Sequence, residues 1–130
     1  MIAFIIQFNG TLMFSQNFDI NSLELGYGKD RTSSISSGDI DSDGDIDLII
    51  ANGRHWPGQN KILLNNGLGR FTVEKNLGIN RMTSYAAELG DLNGDGYVDI
   101  AVGNDKAPNN IFINDGLGNF KLNGSFRREN

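Results

Sequence analysis

Polar and apolar residues alternate along this chain in short runs, and no stretch keeps a helical period. Clusters of Gly, Asn, Asp and Ser separate runs rich in Ile, Leu, Val and Ala, the pattern of short strands joined by tight turns. Eight of the predicted strands fall into two complete sets of four. The first set is Ser33 to Ser37, Ile46 to Ala51, Lys61 to Leu64 and Arg70 to Glu74. The second is Ser84 to Leu89, Val98 to Gly103, Asn110 to Ile113 and Asn119 to Leu122.

The two sets are copies of one unit. Asp39-Ile-Asp-Ser-Asp-Gly-Asp-Ile-Asp47 recurs 52 residues later as Asp91-Leu-Asn-Gly-Asp-Gly-Tyr-Val-Asp99. A Gly-to-Phe hairpin follows each copy, Asn66-Gly-Leu-Gly-Arg-Phe71 and Asp115-Gly-Leu-Gly-Asn-Phe120. A third hairpin, Asn9-Gly-Thr-Leu-Met-Phe14, precedes the first acidic turn, behind the apolar pair Ile5-Ile6. A unit of roughly 50 residues with four strands is the size of one β-propeller blade. Residues 1–18 would form a half blade, 32–78 one blade and 83–126 another, all within a single repeat region covering 1–130. The expected fold class is therefore all-β: four-stranded antiparallel meanders, about two and a half blades of an incomplete propeller. Because propellers close with roughly 4–8 blades, the missing blades must come from a parent protein or from self-association. Strand one of each unit is rich in Ser and Ala, which suits a crowded inner strand and equally a plain edge strand.

The acidic turns carry the candidate chemistry. Both place Asp or Asn at positions 1, 3, 5 and 9 and Gly at position 6. Oxygen side chains at alternate residues, with a Gly that permits a tight bend, are what a hard cation such as Ca2+ requires. The first site is expected to use side chains of Asp39, Asp41, Asp43 and Asp47 with the carbonyl of Asp45. The second is expected to use Asp91, Asn93, Asp95 and Asp99 with the carbonyl of Tyr97. With four carboxylates against three, the first should repel itself more without metal and hold it more tightly. Mg2+ prefers stricter octahedral geometry, and the absence of His and Cys here disfavours Zn2+. An EF-hand or dockerin loop needs a bidentate acid at position 12 and flanking helices, whereas position 12 here is Ile50 or Val102 within a predicted strand.

Composition narrows the function classes. Of the 16 acidic residues, eight lie in the two turns, and two divalent cations would offset most of the net charge of −5. No basic stripe offers a nucleic-acid surface. The chain contains no Cys, so neither a disulfide framework nor a thiolate metal site exists. Met1 to Phe8 is apolar but has no basic leader and is too short to span a membrane. It is expected to be a strand, with any export signal outside this chain.

The stretches GDIDSDGDIDLIIANG at 38–53 and GDLNGDGYVDIAVGN at 90–104, with NGLGRF and DGLGNF behind them, resemble VCBS/FG-GAP repeats. That family places calcium loops between the first two strands of each propeller blade, as in the integrin α-chain head and many bacterial surface or secreted proteins. The resemblance implies calcium ligation at Asp39, Asp41, Asp43, Asp47, Asp91, Asn93, Asp95 and Asp99. It also implies an extracellular or cell-surface setting, with a protein or glycan partner that it does not identify.

Catalysis is not expected. The carboxylates are spaced to converge on one cation rather than to flank a sugar bond, and no GxSxG or phosphate-loop pattern occurs. The sole His and Trp lie together in Arg54-His-Trp-Pro-Gly-Gln59, a loop three residues longer than its counterpart Lys106-Ala-Pro108. Trp56 is expected to pack over the adjacent blade, the alternative being a recognition patch for a sugar or peptide. Two function classes remain: a calcium-stabilised binding or adhesion module, and a non-catalytic scaffold or carbohydrate-recognition part of a larger secreted enzyme.

Overall fold

A computed structural model describes residues 30–126. Eight strands occur there and no helix. They are β1 (Thr32–Gly38), β2 (Asp47–Asn52), β3 (Lys61–Asn65), β4 (Phe71–Asn76), β5 (Ser84–Gly90), β6 (Asp99–Asn104), β7 (Asn109–Asn114) and β8 (Phe120–Phe126). The eight strands predicted within the described residues are all present, with ends moved by a residue or two except at β8, which runs on to Phe126 rather than Leu122. The half blade assigned to 1–18 lies outside the described residues.

The strands form two antiparallel meanders, ordered β1-β2-β3-β4 and β5-β6-β7-β8. Matching positions pair identically: Gly38 faces Asp47 in one and Gly90 faces Asp99 in the other. The described residues are all-β and form two propeller-type blades. In such a meander the β1–β2 and β3–β4 connections share one end, and β2–β3 and the passage to the next blade share the other.

The core lies between the blades. Ile49 and Ala51 of β2, Ile62 and Leu64 of β3, and Ile40 from the acidic turn face Ala87, Ile100, Val102 and Phe112 of the second blade. The parity is informative. Ile100 and Val102 correspond, 52 residues on, to Leu48 and Ile50, the opposite pleat from Ile49 and Ala51. Each blade therefore presents different faces to its two sides. Because side chains alternate across a strand, one repeat can cover the next head to tail, and both faces of the central strands must be apolar.

β1 is the edge of its own sheet, and it also packs on β5 through hydroxyls. Ser33 Oγ donates to Ser84 O (2.6 Å), Ser36 Oγ donates to Ala87 O (2.7 Å), and Ala87 N donates to Ser34 Oγ (3.2 Å). Small side chains let two strands approach without shared ladder bonds, and the hydroxyls satisfy backbone groups the ladder leaves open. Strand one is thus a sheet edge whose small side chains allow close contact with the matching strand of the next blade.

Ile49 is fully buried between the sheets, so Ile49→Ala should cost about 2–5 kcal/mol. Urea unfolding followed by circular dichroism should show the midpoint falling with little change in slope.

Candidate metal centre

The ninth residue of each acidic turn is its foundation. Asp47 and Asp99 are fully buried. Asp47 accepts from Ile40 N through Oδ2 (2.9 Å) and from Asn65 N through Oδ1 (2.8 Å). Asp99 repeats this with Leu92 N and Asn114 N, both at 2.9 Å. Each carboxylate thereby ties its own turn to the end of the blade's third strand. Burial pushes the Asp47 carboxyl above the ordinary range, and the two N–H donors offset only part of this.

An Asn completes each junction. Asn65 Nδ2 donates to Ile46 O (3.1 Å) and its Oδ1 accepts from Gly69 N (3.1 Å). Asn114 Nδ2 donates to Val98 O (2.9 Å) and also crosses to the first blade at Ile40 O (2.7 Å). The first turn is therefore wedged against the second blade's hairpin. A Cβ on Gly118 would sit 3.2 Å from Asp41 Cβ.

Above these anchors the two turns diverge. Asp39, Asp41 and Asp43 each offer one oxygen within 4.8 Å of the others. Asp39 Oδ2 accepts from Gly44 N (3.1 Å) and Asp43 Oδ1 from Asp45 N (2.9 Å). Asp39 Oδ1 and Asp41 Oδ1 are buried and have no hydrogen-bond partner. Burial raises the Asp41 carboxyl above its ordinary value, and the negative charges of Asp47 and Asp43 raise it further. The Asp45 side chain leans against the hairpin, where a Cβ on Gly67 would come within 2.7 Å of its Oδ2.

The second turn is exposed and satisfies itself. Asp91 Oδ1 accepts from Gly94 N (2.7 Å) and Asp95 N (3.2 Å), and Oδ2 from Gly96 N (2.9 Å). The N–H groups of Gly96 and Gly94 hold its carboxyl below the ordinary range. Asn93 Nδ2 donates to Asp95 Oδ2 (2.8 Å), a bond the corresponding Asp41 has no hydrogen to make. Tyr97 N donates to Asp95 Oδ1 (2.9 Å), and the Tyr97 ring packs on Gly116 as Asp45 does on Gly67.

Two features escaped sequence reasoning. Position 4 shares the left-handed backbone of position 6: φ is 63° at Ser42 and 91° at Gly44, against 82° at Gly94 and 90° at Gly96. The Asn junctions were also missed, although Asn65 and Asn114 immediately precede each hairpin motif.

The donor set of the first turn fits a hard cation: all oxygen, carboxylate-rich, with two buried acceptors left open. Asp39, Asp41 and Asp43 would hold it, with Asp47 beneath them. The second turn has the same residue types, but its oxygens are already engaged by its own backbone.

Comparison with known proteins agrees with the geometry. The family described as FG-GAP-like repeat matches residues 39–102, from the first acidic turn to the strand after the second. The chain thus carries an FG-GAP-like repeat. No curated protein and no solved structure matches it.

Two predictions separate anchor from cluster. Asp47→Asn places an NH2 against a backbone N–H and should cost about 1–3 kcal/mol, whereas Asp43→Asn relieves repulsion and should raise the melting temperature in chelator. The second concerns pH. Asp41 and Asp47 titrate higher folded than unfolded, so the folded state binds protons more readily, and their contribution to stability is lost as pH rises through the folded pKa. In chelator, thermal melts should therefore show the protein gaining stability from these groups as pH falls from neutral toward the upper carboxylate range.

Proposed function

We propose that the chain is a calcium-binding β-propeller repeat segment of an extracellular or cell-surface protein, serving as a binding module. The carrying observation is the pair of buried, partnerless oxygens, Asp39 Oδ1 and Asp41 Oδ1, beside a third carboxylate. A buried acceptor without a donor is costly, and a divalent cation satisfies both at once. Calcium at the first turn would neutralise the cluster and fix the loop that the second blade rests on. The carbonyl of Asp45 would complete the oxygen set. The second site, at Asp91, Asn93, Asp95, Asp99 and the Tyr97 carbonyl, would form once its internal hydrogen bonds yield to metal, which makes it the weaker.

The extracellular setting rests on the resemblance to FG-GAP repeats, and it is one in which modules typically bind calcium with dissociation constants of about 10^-4 to 10^-3 M. The role is recognition and support, without catalysis in this chain, with a protein or glycan as partner and further blades from the parent protein or from another copy. A second reading, a carbohydrate-recognising part of a larger secreted enzyme, is favoured by one observation. Trp56 does not pack over the neighbouring blade but stands 63% exposed.

At free Ca2+ ten times its dissociation constant, each site adds about 1.4 kcal/mol of stability. Differential scanning calorimetry should show a higher midpoint in Ca2+ than in chelator, and Asp41→Ala, which removes the side-chain oxygen altogether, should abolish most of the shift. Coincident midpoints, with no heat of binding in titration calorimetry, would refute the calcium reading.

A further inference from the structure

At the end opposite the acidic turns, the long β2–β3 loop is held as a rigid shelf. Gly58 and Met82 exchange N–H to O bonds at 2.8 and 3.0 Å, Arg54 N donates to Ser84 O (3.1 Å), and Gly53 N donates to Arg31 O (2.9 Å). Gly53 is indispensable, because its φ is 128° and a Cβ there would lie 2.3 Å from Met82 O. His55 is fixed from the second blade, with Nδ1 3.1 Å from Tyr85 Oη.

The shelf carries Trp56, whose ring lies 5.7 Å from the Arg31 guanidinium carbon. Beside it is a pocket of about 170 Å³ bordered by Asp30, Arg31, Trp56, Pro57 and Arg81. Arg81 is turned toward the shelf, its Nε donating to Pro57 O (3.3 Å). Asp30 is engaged by Lys61 at 3.4 Å, and both ion pairs among the described residues belong to Lys61. Neither Arg31 nor Arg81 has a carboxylate partner among them. Two guanidinium groups and an exposed indole therefore meet at a small open pocket in a protein whose net charge is −5.

We infer that this pocket binds a carboxylate-bearing sugar of the uronic acid class. A planar guanidinium pairs bidentately with a carboxylate. An exposed indole offers an apolar face and an N–H, suited to a pyranose ring that is apolar on one face and hydroxylated at its edge. The pocket is below the volume of drug-sized sites, so it takes one ring. Nucleic acid is disfavoured, because two guanidiniums do not make a phosphate-tracking stripe. The inference deepens the binding-module reading but uses none of the acidic turns, so it stands or falls separately from calcium.

Trp56 is the sole Trp, so its fluorescence reports on this pocket directly. The full chain, kept in chelator so that calcium cannot bridge sugar to the acidic turns, is titrated with trigalacturonate after circular dichroism shows the fold. The expected result is a saturable change in emission that weakens with salt. Arg31→Gln and Arg81→Gln should each weaken binding by at least about tenfold while melting like the parent protein, and Lys121→Gln on β8 should bind normally. The inference is overturned by any of four results: no saturable change, equal affinity for a neutral trisaccharide, equal affinity for a triglutamate peptide, or a loss at Lys121→Gln matching that at the two Arg positions. Equal titrations in calcium and chelator would leave the calcium reading to its own melt.

Discussion

The arrangement hangs on a buried carboxylate that accepts two backbone N–H bonds from places far apart in sequence. Asp47 joins Ile40 to Asn65, and Asp99 joins Leu92 to Asn114. A fully buried carboxylate is tolerable only when its lone pairs are engaged, and here they are engaged by the amides that would otherwise be orphaned at two strand ends. One side chain thus closes the acidic turn, fixes the start of the following hairpin and orients everything between. The candidate calcium ligands are the upper rim of this junction.

From that junction the contact between blades follows. Asn114 reaches back to Ile40 O, and Ile40 itself is part of the core between the sheets. The first turn is accordingly loaded from two sides, by its own hairpin and by the next blade. That burial explains the difference between two turns of nearly identical sequence. The first keeps three carboxylates close together with two oxygens unsatisfied, while the exposed second relaxes into bonds with its own backbone. A cation at the first turn would act on the contact between blades as well as on the loop.

The two ends of the pair of blades carry different candidate sites. Acidic turns and Gly-rich hairpins share one end, and the other carries the Arg31, Trp56 and Arg81 pocket. On the proposed reading, one end would hold a structural cation and the other a ligand. The longer β2–β3 loop of the first blade reaches across to the second, bridging Ser84 through Gly53 and Met82 through Gly58.

Strand positions, the four-strand unit and the candidate ligands were legible in the sequence because each is a local property. Alternation selects strands, Asp and Gly at fixed offsets select a tight acidic bend, and a 52-residue repeat requires two equivalent units. The resemblance to FG-GAP repeats rests on that same local spacing, and the family match over 39–102 bears it out. What needed the tertiary structure was every feature that depends on a neighbour distant in sequence. Asp47 and Asp43 look alike in the motif, yet one is a buried backbone anchor and the other an exposed member of the cluster, because only Asp47 meets the amide of Asn65. Likewise the sequence leaves Trp56 between packing over the adjacent blade and forming a recognition patch, and in the structure it is exposed beneath Arg31. Side-chain type and spacing declare what a loop can bind. Which oxygens and which rings remain free to bind is decided by packing between the blades.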